Sequence, residues 1–191
     1  GEWQRVGRSA GRLSELPIWI DDFSGATVER IRGNARRLHS KHGLDAVFVD
    51  YIQLMKGEGE DRRVTVGNIS RGLKGLAKEL DIPVIGLAQL NRENAKQGNP
   101  RPRLTNLKET GDLEQDADAV IFVHRPEYYG ITVDENGKST KGKAYFLVEK
   151  QRNGPPGDVL AGFTAPYTAF VDWDAYLLWA DQPGLPKDTE L

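Results

Sequence analysis

The chain alternates between short, uninterrupted apolar runs and longer stretches in which apolar residues recur every three or four positions. Asp45–Met55 holds the clearest run: Ala46, Val47, Phe48 and Val49 are apolar without a break, and the run ends on Asp50. Continuous β-favouring residues suit a strand covered on both faces, as in a parallel sheet. Val84-Ile85-Gly86-Leu87-Ala88 repeats the arrangement and ends on Gln89, and residues 119–123 predict a third strand, followed by His124 and Arg125. Elsewhere the period is helical. Trp3, Val6, Ala10 and Leu13 predict a helix over 2–13, and Val28, Ile31, Ala35 and Leu38 predict one over 27–42. Thr27 is the N-cap of the second and Gly43 its stop. Val66, Ile69, Leu73, Leu76, Ala77 and Leu80 predict a helix over 65–80, whose extension Pro83 bars.

Pro17-Ile18-Trp19-Ile20 predicts a short strand ahead of Asp21-Asp22. Residues 143–152 and 158–164 predict two more, antiparallel because only Asn153-Gly154-Pro155-Pro156-Gly157 joins them, and 167–173 adds another. Residues 126–142 form a polar excursion with a turn at Asn136-Gly137. Residues 91–111 carry no period, and a loop of that length inside a compact domain is functional or disordered. From Asp181 the chain reads as a flexible polar tail, which leaves residues 1–180 as one domain. The expected class is α/β, with a mostly parallel sheet, helices on both faces and a C-terminal antiparallel hairpin.

At 191 residues the chain is long enough for one domain with a true core. It has no cysteine, which excludes a disulfide framework and a thiolate metal site. No run is long enough to cross a bilayer, and the first residues lack a signal-peptide pattern, so the expectation is a cytoplasmic protein with no membrane partner. The net charge is −2, so any nucleic-acid surface must be local. The single methionine is Met55, which suggests a piece of a longer protein.

Asp50 and Gln89 close two successive strands. A parallel sheet puts both ends on one edge, where open α/β sheets bind ligands. A carboxylate there suits a metal ion, and a neighbouring amide suits a terminal phosphate; alternatively each side chain simply opens a loop. Lys150 and Arg152 stand two apart on a strand and so share a face. Such a pair stabilises charge on a transferred phosphoryl group, or is merely a basic strand end. Between 91 and 111, Arg92, Lys96, Arg101, Arg103 and Lys108 outnumber Glu93 and Glu109, an excess that attracts phosphate. No aromatic residue interrupts that segment, so sequence-indifferent backbone contact is expected rather than base stacking. Arg125 either lines a nucleotide pocket or packs on the surface, and packing is the favoured reading. His39, His42 and His124 have no metal-ligand spacing, and no Gly-x-x-x-x-Gly-Lys-Ser/Thr string is present.

Five strings occur in order: Asp50-Tyr51-Ile52-Gln53-Leu54-Met55; Leu76-Ala77-Lys78-Glu79-Leu80 with Pro83-Val84-Ile85; Gln89-Leu90-Asn91-Arg92; Leu113-Glu114-Gln115-Asp116-Ala117-Asp118; and Lys150-Gln151-Arg152-Asn153-Gly154-Pro155. Together they resemble the RecA-like C-terminal motor domain of the DnaB family of bacterial replicative DNA helicases. The resemblance runs from about residue 2 to 173 and implies a ring, expected to be hexameric, that uses ATP and Mg²⁺ to move 5′ to 3′ on single-stranded DNA. It also implies a primase and a helicase loader as partners. By this resemblance Asp50 is the Walker B aspartate that positions Mg²⁺, and Gln89 contacts the terminal phosphate. Lys150 and Arg152 reach the neighbouring subunit's nucleotide. Lys108, Glu109 and Gly111 belong to the DNA-contacting loop, with Lys108 where the family more often has arginine and Asp112 where it more often has serine. The phosphate-cradling loop and the water-activating glutamate are then expected upstream of Gly1, and this piece alone is not expected to hydrolyse ATP. Part of its sheet is expected to be uncovered. Two other readings remain: a RecA- or RadA-type recombination ATPase core, and a non-catalytic module that binds DNA or a partner.

Overall fold

In a computed structural model the chain is described over residues 1–90, 100–110 and 113–181, with the side chains of Glu2 and of residues 108–110 outside that description. Two sheets make up its β-structure. The first is a parallel pair, β1 (Val47–Val49) and β2 (Val84–Gly86), in the register Val47↔Val84, Phe48↔Ile85, Val49↔Gly86. The second is antiparallel, in the order β3 (Ala119–His124), β4 (Lys143–Gln151), β5 (Gly157–Thr164) and β6 (Ala169–Asp172). The expected hairpin at 153–157 is therefore present. The third apolar run, β3, pairs only with β4 and antiparallel to it, with a register shift between Val120 and Ile121.

The helices follow the apolar spacing closely. α1 spans Glu2–Ser14, α2 Val28–His42 and α3 Arg62–Leu80. The Thr27 hydroxyl accepts the Arg30 N–H at the start of α2, and Asp61 Oδ1 accepts the Val64 N–H at 2.8 Å at the start of α3. Each cap satisfies a backbone donor that lacks a partner within its helix. α3 begins three residues earlier than its apolar spacing predicts, because the Asp61 cap and not the first apolar residue sets its start. α1 is exposed along its length, with Trp3 88% accessible. Arg30, Arg36, Arg37 and Lys41 of α2 are exposed, with Arg36 paired to Glu79 of α3 and Arg30 to Asp21.

One core joins α2 and α3 to the parallel pair through Val28, Val49, Ile52, Met55, Val66, Ile69 and Leu73. A second lies under the antiparallel sheet and contains Leu107, Phe122 and Leu147. Burial of each such side chain stabilises the fold by about 1.5–3 kcal/mol. The opposite face of β1 is open, as expected for part of this sheet: Phe48 is 70% exposed.

The strand expected at 17–20 does not form. Residues 18–23 lie outside any strand, and Ile18 and Ile20 are exposed. β-propensity alone does not hold a strand, which needs a hydrogen-bonded neighbour; Asp21 instead accepts Asn34 Nδ2 at 2.6 Å and so ties this segment to α2. The segment between β6 and Asp181 lies ahead of the expected tail and carries no predicted helix. It forms α5 (Trp173–Ala180), which packs back on β5. Tyr176 lies over Gly142 and Gly162, where an added Cβ would collide with its Oη and with its Cβ, respectively. Residues 182–191, most of the predicted tail, lie outside the described residues.

Candidate nucleotide edge and trans-acting cations

The carboxyl ends of β1 and β2 lie side by side, as parallel pairing requires, and backbone bonds carry the pairing past the strands. Leu87 N donates to Val49 O and Ile52 N donates to Leu87 O, both at 2.9 Å. Gly86 permits this approach, since a Cβ there would meet Ile52 Cδ1 at 2.6 Å. Asp50 leaves β1 through a cis peptide bond to Tyr51, and Ile52–Leu54 close a 3-10 turn. From that turn Gln53 makes a two-way clip: its Nε2 donates to Gln89 O at 2.9 Å, and its Oε1 accepts Gln89 N at 3.2 Å. Gln89 is thus fixed through its backbone, which leaves its exposed side chain free to meet a ligand. Arg62, at the start of α3, donates to Gln53 O and to Met55 O and secures the turn from behind.

Asp50 is exposed, and among the described residues its carboxylate has no hydrogen-bond or ion-pair partner. A lone carboxylate suits Mg²⁺, which binds through one or two protein carboxylates and completes its shell with phosphate and water. The donor set therefore fits the cation implied by the sequence. Among the described residues, no three His, Cys, Asp or Glu side chains gather to cage a metal.

The cations lie on the other sheet. Lys150 is within β4, and Arg152 is one residue beyond its end rather than on the strand. Both still reach the same target, the last carbonyls of α4 (Leu113–Asp116). Lys150 Nζ donates to Glu114 O and, at 3.3 Å, to Gln115 O; Arg152 Nη2 donates to Gln115 O at 2.8 Å. The final carbonyls of a helix have no acceptor role inside it, so they are natural seats for cations. Arg152 remains 52% exposed. Asp118 accompanies the pair, 3.5 Å from Arg152 Nε and bonded to Lys74 of α3, and the Lys74 bond first, then the charges of Lys74, Arg152 and Lys150, hold its carboxyl below the usual range.

The remaining candidates divide. Arg125 lies over the Phe163 ring, 3.5 Å from its centroid. Arg101 is bound through both Asp158 oxygens at 2.6 and 2.7 Å, so its charge is already matched within the chain. Arg103 is exposed, and its backbone N–H is accepted by Asn106 Oδ1. Lys108 and Glu109 end a 3-10 segment, Leu104–Thr110, and their side chains lie outside the described residues, as do Gly111, Asp112, Arg92 and Lys96. Periodicity did not single out Gln53, Arg62, Lys74 or Asp118. All four act through backbone atoms or across elements distant in sequence, which leaves no periodic signal; only the position of Gln53, three residues past the strand-end Asp50, was a usable hint.

A family described as the DnaB-like helicase C-terminal domain matches residues 1–172. The chain is 41% identical over 173 residues to the replicative DNA helicase DnaB of Pasteurella multocida (strain Pm70), covering 88% of this chain and 36% of that one. It is 37% identical over 188 residues to the replicative DNA helicase DnaC of Bacillus subtilis (strain 168), covering 97% of this chain and 40% of that one. Among solved structures, one described as an ATPase domain superposes with a TM-score of 0.81 at 34% identity, covering 89% of this chain and 60% of that chain. A DnaB-like replicative helicase, whose structure was described with its interactions with primase, superposes with a TM-score of 0.79 at 35% identity, covering 88% and 41%. The fold is that of a RecA-like helicase ATPase domain, and the chain spans well under half the length of these two curated relatives. On the strength of a match across nine-tenths of its length, the chain belongs to the DnaB-like helicase C-terminal domain family.

Proposed function

We propose that the chain forms part of the motor of a ring-shaped replicative helicase, which unwinds duplex DNA by ATP-driven 5′ to 3′ movement on single-stranded DNA. The observation that carries this reading is the clipped edge at which Asp50 and Gln89 emerge together, held by Gln53. Asp50 would hold Mg²⁺, whose charge offsets that of the β- and γ-phosphates. Gln89 meets the terminal phosphate, with its position set by the two backbone bonds. Lys150 and Arg152 serve the nucleotide of an adjoining protomer, where donors already in place favour the charge that develops on the transferred phosphoryl group. Lys108, Glu109 and Gly111, with Arg101 and Arg103, track the DNA backbone; Arg101 is also held by Asp158. Primase and a loader are partners of the whole ring, the first also suggested by the neighbour described with primase.

The test uses the full-length gene product. Arg152→Ala and Asp50→Ala rings are each expected to lose DNA-stimulated ATP hydrolysis, by about 10³-fold for Arg152. Rings mixed from the two variants should regain part of it, because some interfaces then pair an intact Asp50 with an intact Arg152. Failure of every mixture to recover activity would remove the trans assignment.

A further inference from the structure

We propose that Asp118 is the positioning residue for Arg152. This inference rests on the reading that Arg152 serves a neighbour's nucleotide. Arg152 sits in an exposed turn, where a long side chain with many rotamers would wander. Two groups restrain it. Asp118 O accepts the Arg152 backbone N–H at 2.9 Å, which extends the β3–β4 ladder one step beyond the Ala119↔Gln151 pair. The Asp118 carboxylate lies 3.5 Å from Arg152 Nε, while Gln115 O accepts from Nη2 at 2.8 Å. Backbone and guanidinium are therefore referenced to one short stretch, 115–118.

The planar guanidinium has five N–H groups in a fixed fork. With Nε and Nη2 directed inward, Nη1 has no partner among the described residues and is left for an external acceptor such as a phosphate oxygen. The other oxygen of Asp118 is bonded to Lys74 on α3, which ties the carboxylate to a helix of the first core. Lys74, Lys150 and Arg152 thus surround a single carboxylate. The excess positive charge suits a polyphosphate, and the carboxylate keeps three like charges from spreading apart. An ion pair this exposed adds little to stability, so its contribution is orientation.

The experiment compares Asp118→Asn, Arg152→Ala and the double variant in the full-length helicase, with ring assembly and thermal midpoint measured for each. Asp118→Asn should lower kcat for DNA-stimulated ATP hydrolysis about tenfold and leave the KM for ATP within about twofold, because the orientation is used in the transition state. The double variant should match Arg152→Ala alone, since a residue that acts only through Arg152 has no effect once Arg152 is gone. If Asp118→Asn does not assemble, Asp118→Ser, which also removes the carboxylate, takes its place in the same comparison. A wild-type rate in the Asp118 variant, or a further loss on the Arg152→Ala background, overturns the inference and leaves the trans reading standing. A wild-type rate in Arg152→Ala overturns the trans reading and the inference with it.

Discussion

The two sheets divide the chemistry unequally. The parallel pair is only three residues deep on each strand, yet it carries the carboxylate and the amide with no cation held beside Asp50 among the described residues. The antiparallel sheet is longer and carries the cations, but Lys150 and Arg152 already turn toward α4 and Asp118 within the same chain. One region carries a lone carboxylate, and the other has positive charge held in place near its surface. The proposed ring would join the two head to tail, since a heterologous contact that closes brings one patch of each copy against the other patch of the next.

The contrast breaks most sharply at Asp50. Asp50→Asn in the intact protein should lower ATP hydrolysis by about 10³-fold or more, comparable to losing a principal charge-stabilising group, with DNA binding retained. Rates from single-turnover hydrolysis alongside DNA affinity check this, and a loss below tenfold would mean that this edge is not where the metal sits. Next in size is a stability effect on the cation side. Leu147 is a fully buried side chain of β4, so Leu147→Ala should cost about 2–5 kcal/mol, read from denaturant midpoints. Gln53→Leu is expected to be milder. It removes two neutral hydrogen bonds, each worth about 1 kcal/mol, so it should lower stability by no more than about 2 kcal/mol while slowing hydrolysis roughly tenfold.

The smallest expected effect concerns pH. Burial, and then the charge of Arg101, lower the pKa of His124 below its ordinary 6.5. The folded chain keeps the ring neutral while the unfolded chain takes up a proton as pH falls past 6.5, so stability declines from there down to the lowered native value. Thermal midpoints should drop by about 4 °C or less across that window in the wild type and stay flatter in His124→Phe. A steeper decline in the variant would mean that His124 is not the responsible group.

Much of this architecture was legible before the structure. The spacing in α2 and α3, the Thr27 cap and the polar closures of both parallel strands are local patterns, and local patterns survive into the fold. What escaped the sequence depended on partners. Pro17–Ile20 has strand composition but no paired neighbour, so it forms no ladder. α5 was missed because Trp-Asp-Ala-Tyr-Leu-Leu-Trp-Ala is apolar nearly all round and starts without a side-chain cap, which leaves neither a stripe nor a start signal to read. Both cations were placed on one face by period-2 reasoning. They do converge, but Arg152 does so from the turn, guided by the Asp118 carbonyl.

The seat of Tyr176 over Gly142 and Gly162 has a practical corollary. The family match stops at residue 172, one position before the helix that roofs β5 begins. Trimming at that border would strip the lid from Gly162 and its buried neighbour Phe163 and leave wet a groove shaped for a phenol ring. Anyone dissecting this domain should carry the chain through Ala180, since the helix that the family match leaves out is the one that covers β5.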